Sequence, residues 1–146
     1  MAYVTGDPDV VLERLWREMK AIYEQYSVPH RYVTFGTNRD FPNTKTCGKL
    51  KGSAVRCKWM GRVMVDLWKA HMNIRLGIHR KLLICLESSW EMETILDANK
   101  KLYKLPTPDA VKLQKASFLM AQSYTEVSEH FHGMEGLRPG LFCRTR

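Results

Sequence analysis

Four apolar stripes of helical period, each bounded by residues that stop helices, constrain this chain more than anything else in it. In the first, Leu12, Leu15, Met19, Ile22 or Tyr23, and Tyr26 share one face. Asp7 suits the cap, Pro8 the first helical position, and Asp9 the positive end of the helix dipole. Val28-Pro29 closes this helix near Ser27, because the residue before a proline is pushed out of the helical region. The second helix runs from about Leu50 to Ile74, with Met60, Val63, Met64, Leu67 and Ile74 on one side. Gly77 ends it or sits in a turn before the third helix, about Ile78 to Leu102. There the stripe is Leu82, Cys85 or Leu86, Ser89, Met92 and Leu96. Lys100, Lys101 and Lys104 follow, where cations complement a C-terminal dipole. Thr107 and Pro108 start the fourth helix, whose stripe is Leu113, Met120, Tyr124, Val127 and Phe131, with Gly133 as its stop.

Between the first two helices, residues 28–48 hold two prolines, two glycines and several turn formers, which exclude a long helix. Tyr32-Val33-Thr34-Phe35 is extended in character but too short for a sheet. The pattern predicts an all-α fold: an antiparallel up-and-down four-helix bundle with an irregular basic loop between helices one and two. One domain over 1–133 and a flexible basic tail over 134–146 are expected. A chain of 146 residues can bury about 68–70% of its extended surface without disulfides.

Several classes are excluded by what is missing. The start, MAYVTGDPDV, lacks the basic and apolar regions of a secretory leader. The longest apolar run, LLICL, is far short of the ~18 residues of a membrane span. Cys47, Cys57, Cys85 and Cys143 show no CxxC pairing, so a zinc ribbon is not expected and reduced thiols in a cytoplasm are. Cys85 reads as a small buried hydrophobe.

Charge points the other way, toward a partner. Between Arg31 and Lys81 stand twelve Lys/Arg against two acids, Asp40 and Asp66, a net of +10 against +8 for the whole chain. The rest is slightly acidic. Charge gathered like this suits a polyanion, because each neutralised phosphate releases a condensed counterion. Within helix two, Lys51, Lys58, Arg62 and Lys69 fall within about 20° of one line, opposite the apolar stripe. They form a ridge about 27 Å long at about 1.5 Å per residue. An ordinary solvated face would interleave acids at i,i+4, and here only Asp66 is near. The candidate nucleic-acid contacts are therefore Arg31, Arg39, Lys49, Lys51, Lys58, Arg62 and Lys69, with Tyr32 and Phe35 of the basic loop able to stack on bases. Trp16, Trp59, Trp68 and Trp90 lie at helical spacing; Trp59 and Trp68, which flank the ridge, are assigned to packing.

Catalytic signals are weak. Gly48-Lys49-Leu50-Lys51-Gly52-Ser53 lacks phosphate-loop spacing and a preceding strand. A di-metal bundle needs a Glu-x-x-His on each of two helices, and only Glu129…His132 has that spacing. His71, His79, His130 and His132 have no nucleophile at a telling spacing, and Arg75…His79 only approximates the Arg…His pair of helical ribonucleases. No catalytic residue, metal site or cofactor is expected.

Two stretches carry a family resemblance. One is Val28-Pro29-His30-Arg31-Tyr32-Val33-Thr34-Phe35-Gly36-Thr37-Asn38-Arg39, similar to a Pro-basic-x-x-Arg-x-x-Leu-Gly stretch joining helices one and two. The other is Ser88-Ser89-Trp90-Glu91-Met92-Glu93-Thr94-Ile95-Leu96, similar to a Glu-x-Glu-Thr core of helix three. Over roughly 9–132 the chain resembles the accessory variability determinant (Avd) proteins of diversity-generating retroelements, relatives of the four-helix proteins of ribosomal intervening sequences. It departs from them by an insertion at Asp40–Gly48 and by Ser123-Tyr124-Thr125-Glu126-Val127 in place of a Gly-Arg-x-Leu-Gly-Trp-like ending. The resemblance implies a non-enzymatic, ring-like homo-oligomer, a pentamer. It would bind template RNA, its cDNA and the element's reverse transcriptase, and promote mutagenic cDNA synthesis. The alternatives are a stand-alone helical RNA-binding protein and a helical ribonuclease or toxin.

Overall fold

The computed structural model describes residues 8–33 and 53–132. Four helices span Pro8–Gln25 (α1), Ala54–His71 (α2), Gly77–Ala98 (α3) and Thr107–His132 (α4), and no strand occurs among the described residues. The fold is all-α, as the stripes predict. Asp7, the 40–48 insertion, Gly133 and the 134–146 tail lie outside the described residues, as do the side chains of Leu12 and Phe131. The described residues divide into two compact units, one up to Leu67 and the other from Trp68. The last turn of α2 belongs to the second.

In the first unit, α1 ends in a Schellman turn. The amide of Val28 donates to the carbonyl of Tyr23 at 3.0 Å and that of Ser27 to Glu24 at 3.1 Å. Ser27 takes the left-handed conformation, φ 49°, that such a turn requires and that glycine adopts more easily. The motif's hydrophobic partners, Tyr23 and Val28, are both buried. They join Met19, Tyr32, Met60, Val63 and Leu67 in one cluster, with Leu15, Trp16, Ile22, Tyr26 and Trp59 packed around it. Burial pushes the Tyr23 hydroxyl above its ordinary pKa, and the nearby Tyr32 backbone amide offsets part of that rise.

Helix α2 is shorter than its periodicity predicts. Ser53 precedes it, with its Oγ 3.5 Å from the Arg56 amide and its carbonyl accepting from Cys57 at 3.0 Å. At the far end, Ile74 lies beyond the helix and is 70% exposed. Met64 is also exposed, so the buried stripe is Met60, Val63 and Leu67.

In the second unit α3 and α4 pack antiparallel. Asn99 Nδ2 donates to Asp109 at 3.0 Å at one end, and Lys81 meets Glu126 at 2.6 Å at the other. These ties lie about five turns apart along each helix, which fixes the register. The α3 stripe is shifted from expectation: Ser88 and Ile95 are buried, whereas Ser89 and Leu96 face solvent. Cys85, Ser88, Met92 and Ile95 repeat at three and four residues, as do Leu113, Ala116, Met120, Ser123 and Val127 of α4. The most buried of these are mostly small, Ser88, Ala116 and Ser123, which lets two helix backbones approach closely. Burial also raises the pKa of the Cys85 thiol.

Candidate nucleic-acid interface

The ridge on α2 is not a free surface. Val65, one ridge position on from Lys58 at about 20° on the helical wheel, is only 1% exposed. Helix α2 therefore buries residues on two sides, and two of its ridge cations have partners, Arg62 in a half-buried setting and Lys69 at the surface. Arg62 stacks on the Tyr26 ring, 4.3 Å from its centroid, donates to the Tyr26 hydroxyl, and lies 3.5 Å from Asp66. Lys69 pairs with Glu87 at 2.6 Å, and Lys58 is half-buried. The Glu87 pairing comes from α3, which i,i+4 reasoning within α2 does not consider. The expectation of an outward cationic row on α2 is corrected on these points.

Tyr32 is corrected too. Its ring is 4% exposed and belongs to the core, with its hydroxyl 3.5 Å from Cys57 Sγ, so it has no face open to a base. The alternation Arg31-Tyr32-Val33 carries the explanation: Tyr32 turns inward while Arg31 and Val33 face solvent. Phe35, Arg39, Lys49 and Lys51 lie outside the described residues.

What does remain open is a set of cations at helix ends. The Tyr32–Cys57 contact brings the segment bearing Arg31 beside the first turns of α2, which bear Arg56. Both arginines are exposed and neither has an ion pair among the described residues. In the second unit Arg75 is likewise exposed, in the link before α3. Periodicity did not single out Arg56 or Arg75, because neither lies on the Lys51–Lys69 line.

That link is tightly organised. The Asn73 amide donates to His79 Nδ1 at 3.0 Å, and Asn73 Oδ1 accepts from the Arg75 amide at 3.0 Å. Arg80 donates to the Ile74 carbonyl at 2.7 Å, and Trp68 Nε1 to the His79 carbonyl at 2.9 Å. The His79 ring lies against Trp68, centroids 4.9 Å apart. A backbone amide can only donate, so Nδ1 is the unprotonated nitrogen and the neutral ring carries its hydrogen on Nε2. No lone pair is then left to serve as a general base. His79 clamps a turn, and the approximate Arg75…His79 nuclease pair loses its base in this geometry.

Among the described residues, no cluster of His, Cys, Asp or Glu is arranged to hold a metal ion. No helix there is long and apolar enough to cross a membrane. Cys57 and Cys85 are free, half-buried thiols. Compared with known proteins, the chain matches no family model, no curated protein and no solved structure.

Proposed function

We propose that this chain is a basic, non-enzymatic accessory protein of a diversity-generating retroelement. It binds RNA and a reverse transcriptase and supports mutagenic cDNA synthesis in the cytoplasm. Its helices form an antiparallel up-and-down bundle, assembled as a pentameric ring. The observation that carries the nucleic-acid reading is the +10 held between Arg31 and Lys81. Within that segment Arg31, Arg56 and Arg75 stand exposed with no acid paired to them among the described residues. Phosphates would hold RNA against such groups while a polymerase supplies the chemistry. Support for the polymerase partner and the ring comes from the two motif stretches alone.

The test has three measurements on the purified chain. Fluorescence anisotropy with a short RNA should give an affinity that falls with salt. Arg31→Ser with Arg56→Ser should flatten the log–log slope by about 1.4, at roughly 0.7 per single-strand phosphate contact. Co-expression with a reverse transcriptase of a diversity-generating retroelement should yield a complex, and light scattering should count five subunits. Absence of RNA binding would remove the reading. RNA binding without a polymerase complex would favour the stand-alone RNA-binding protein.

A further inference from the structure

The turn between α3 and α4 combines features that no other described segment shares. The last turn of α3 contains no basic residue, so Lys100, Lys101 and Lys104 lie beyond the helix instead of closing it. The connection from Asn99 to Pro106 holds these three lysines and no acid. Between them, Tyr103 is fully exposed, at 108% of its reference area, and Leu102 is 55% exposed. Lys100 leans on Asp97 at 3.4 Å, a weak surface pair, and Lys101 and Lys104 have no ion pair among the described residues.

The start of the turn is also tied down. Asn99 Nδ2 donates both to the Ile95 carbonyl at 2.9 Å and to Asp109 at 3.0 Å, stapling the end of α3 to the start of α4. The Leu102 amide donates back to the Asn99 carbonyl at 2.9 Å. A fully exposed aromatic ring suits stacking on a base, and cations on either side suit the flanking phosphates.

We propose that this turn is a contact for unpaired nucleic acid: Tyr103 stacks on a base while Lys101 and Lys104 hold adjacent phosphates. The inference rests on the RNA-binding reading above and adds a site that reading does not use. An anionic membrane is the competing partner for lysines beside apolar side chains. Two such residues bury little area, however, and stable membrane attachment takes more than one weak anchor.

Full-length variants decide it, with circular dichroism confirming that each keeps its helices. Tyr103→Ala should weaken binding of a short unstructured RNA about tenfold, Tyr103→Phe should preserve it, and affinity for an RNA duplex should not change. Lys101→Ser with Lys104→Ser should flatten the salt slope by about 1.4. If wild type binds unstructured RNA and these variants bind equally well, the turn is excluded while the RNA-binding reading stands. If wild type binds none, both fall. Binding to phosphatidylserine vesicles that Tyr103→Ala abolishes, with RNA affinity untouched, reassigns the turn to membranes and overturns the proposal.

Discussion

Replacing Arg62 with methionine separates a structural cation from a phosphate ligand. The guanidinium does three things at once in the first unit: it stacks on Tyr26, donates to the Tyr26 hydroxyl and pairs with Asp66. A partly exposed cation–π stack contributes about 0.5–1 kcal/mol. The ion pair, with side chains 28% and 21% exposed, is worth no more than about 1 kcal/mol. A hydrogen bond from a charged donor adds about 1.5 kcal/mol at the low end. One group makes all three contacts, so they do not add fully, and the loss should be about 2 kcal/mol. For a chain of this size that lowers Tm by about 4–8 °C. Thermal unfolding followed by circular dichroism measures it, and a double-mutant cycle with Tyr26→Leu should return a coupling of about 1 kcal/mol. Tyr26→Phe, which keeps the ring and loses the hydroxyl, should cost less than Arg62→Met. RNA affinity measured well below Tm should change less than twofold. If Arg62→Met leaves Tm within a degree of wild type and weakens RNA binding tenfold, Arg62 is a phosphate ligand and the structural account is wrong.

Three further outcomes follow from the geometry. Ser27→Gly should stabilise the chain by about 0.5 kcal/mol in urea unfolding: relief of a left-handed L-residue, about 1–2 kcal/mol, exceeds glycine's entropic cost of about 0.5–1; Ser27→Val should destabilise it. The Glu126 carboxyl sits below its ordinary pKa, chiefly through its hydrogen bond from Lys81 and then that from Gln122. Its contribution is present above the unfolded carboxylate pKa and is lost as pH falls through the lowered folded value, so Glu126→Gln should make the urea midpoint less sensitive to pH across the acid limb. His79→Phe keeps a ring on Trp68 but removes the acceptor of the Asn73 amide. Hydrogen exchange at Asn73 should accelerate severalfold while exchange in the middle of α4 stays unchanged.

Element type was legible because it depends on local period and local stops. The α1 stripe, the buried Met60, Val63 and Leu67, and the break at Leu105–Pro108 all follow from spacing along one helix. The misses share a cause: they depend on what a helix meets. Ser88 is buried in place of Ser89, and Ile95 in place of Leu96, because α4 sets which side of α3 is covered. Lys69 is neutralised by Glu87, eighteen positions away in sequence, so a count of neighbouring acids could not see it. Val65 shows the same limit more sharply. It lies beside the cationic line and is 1% exposed, and the single apolar stripe of α2 gives no sign of that burial. The end of α3 at Ala98 depends on the Asn99 side chain reaching both Ile95 and Asp109, a contact that exists only once α4 has folded back.

The arithmetic of charge then decides where a polyanion can be gripped. The central segment has two acids for twelve cations, and the remainder of the chain is itself only slightly acidic. Pairing Arg62 with Asp66, Lys69 with Glu87 and Lys81 with Glu126 therefore quiets particular helix faces without changing the surplus. The surplus has to sit where packing leaves room for it. Among the described residues most of those places are junctions: Arg31 after α1, Arg56 in the first turn of α2, Arg75 before α3, and Lys101 and Lys104 before α4, with Lys115 of α4 exposed on a helix face. Arg62, Lys69 and Lys81, on helix faces, are engaged by neighbouring side chains. The α3–α4 connection offers charge and an exposed aromatic ring outside the core. A phosphate chain bound by this protein is thus expected to be held largely by its turns, with Arg62 of α2 contributing little.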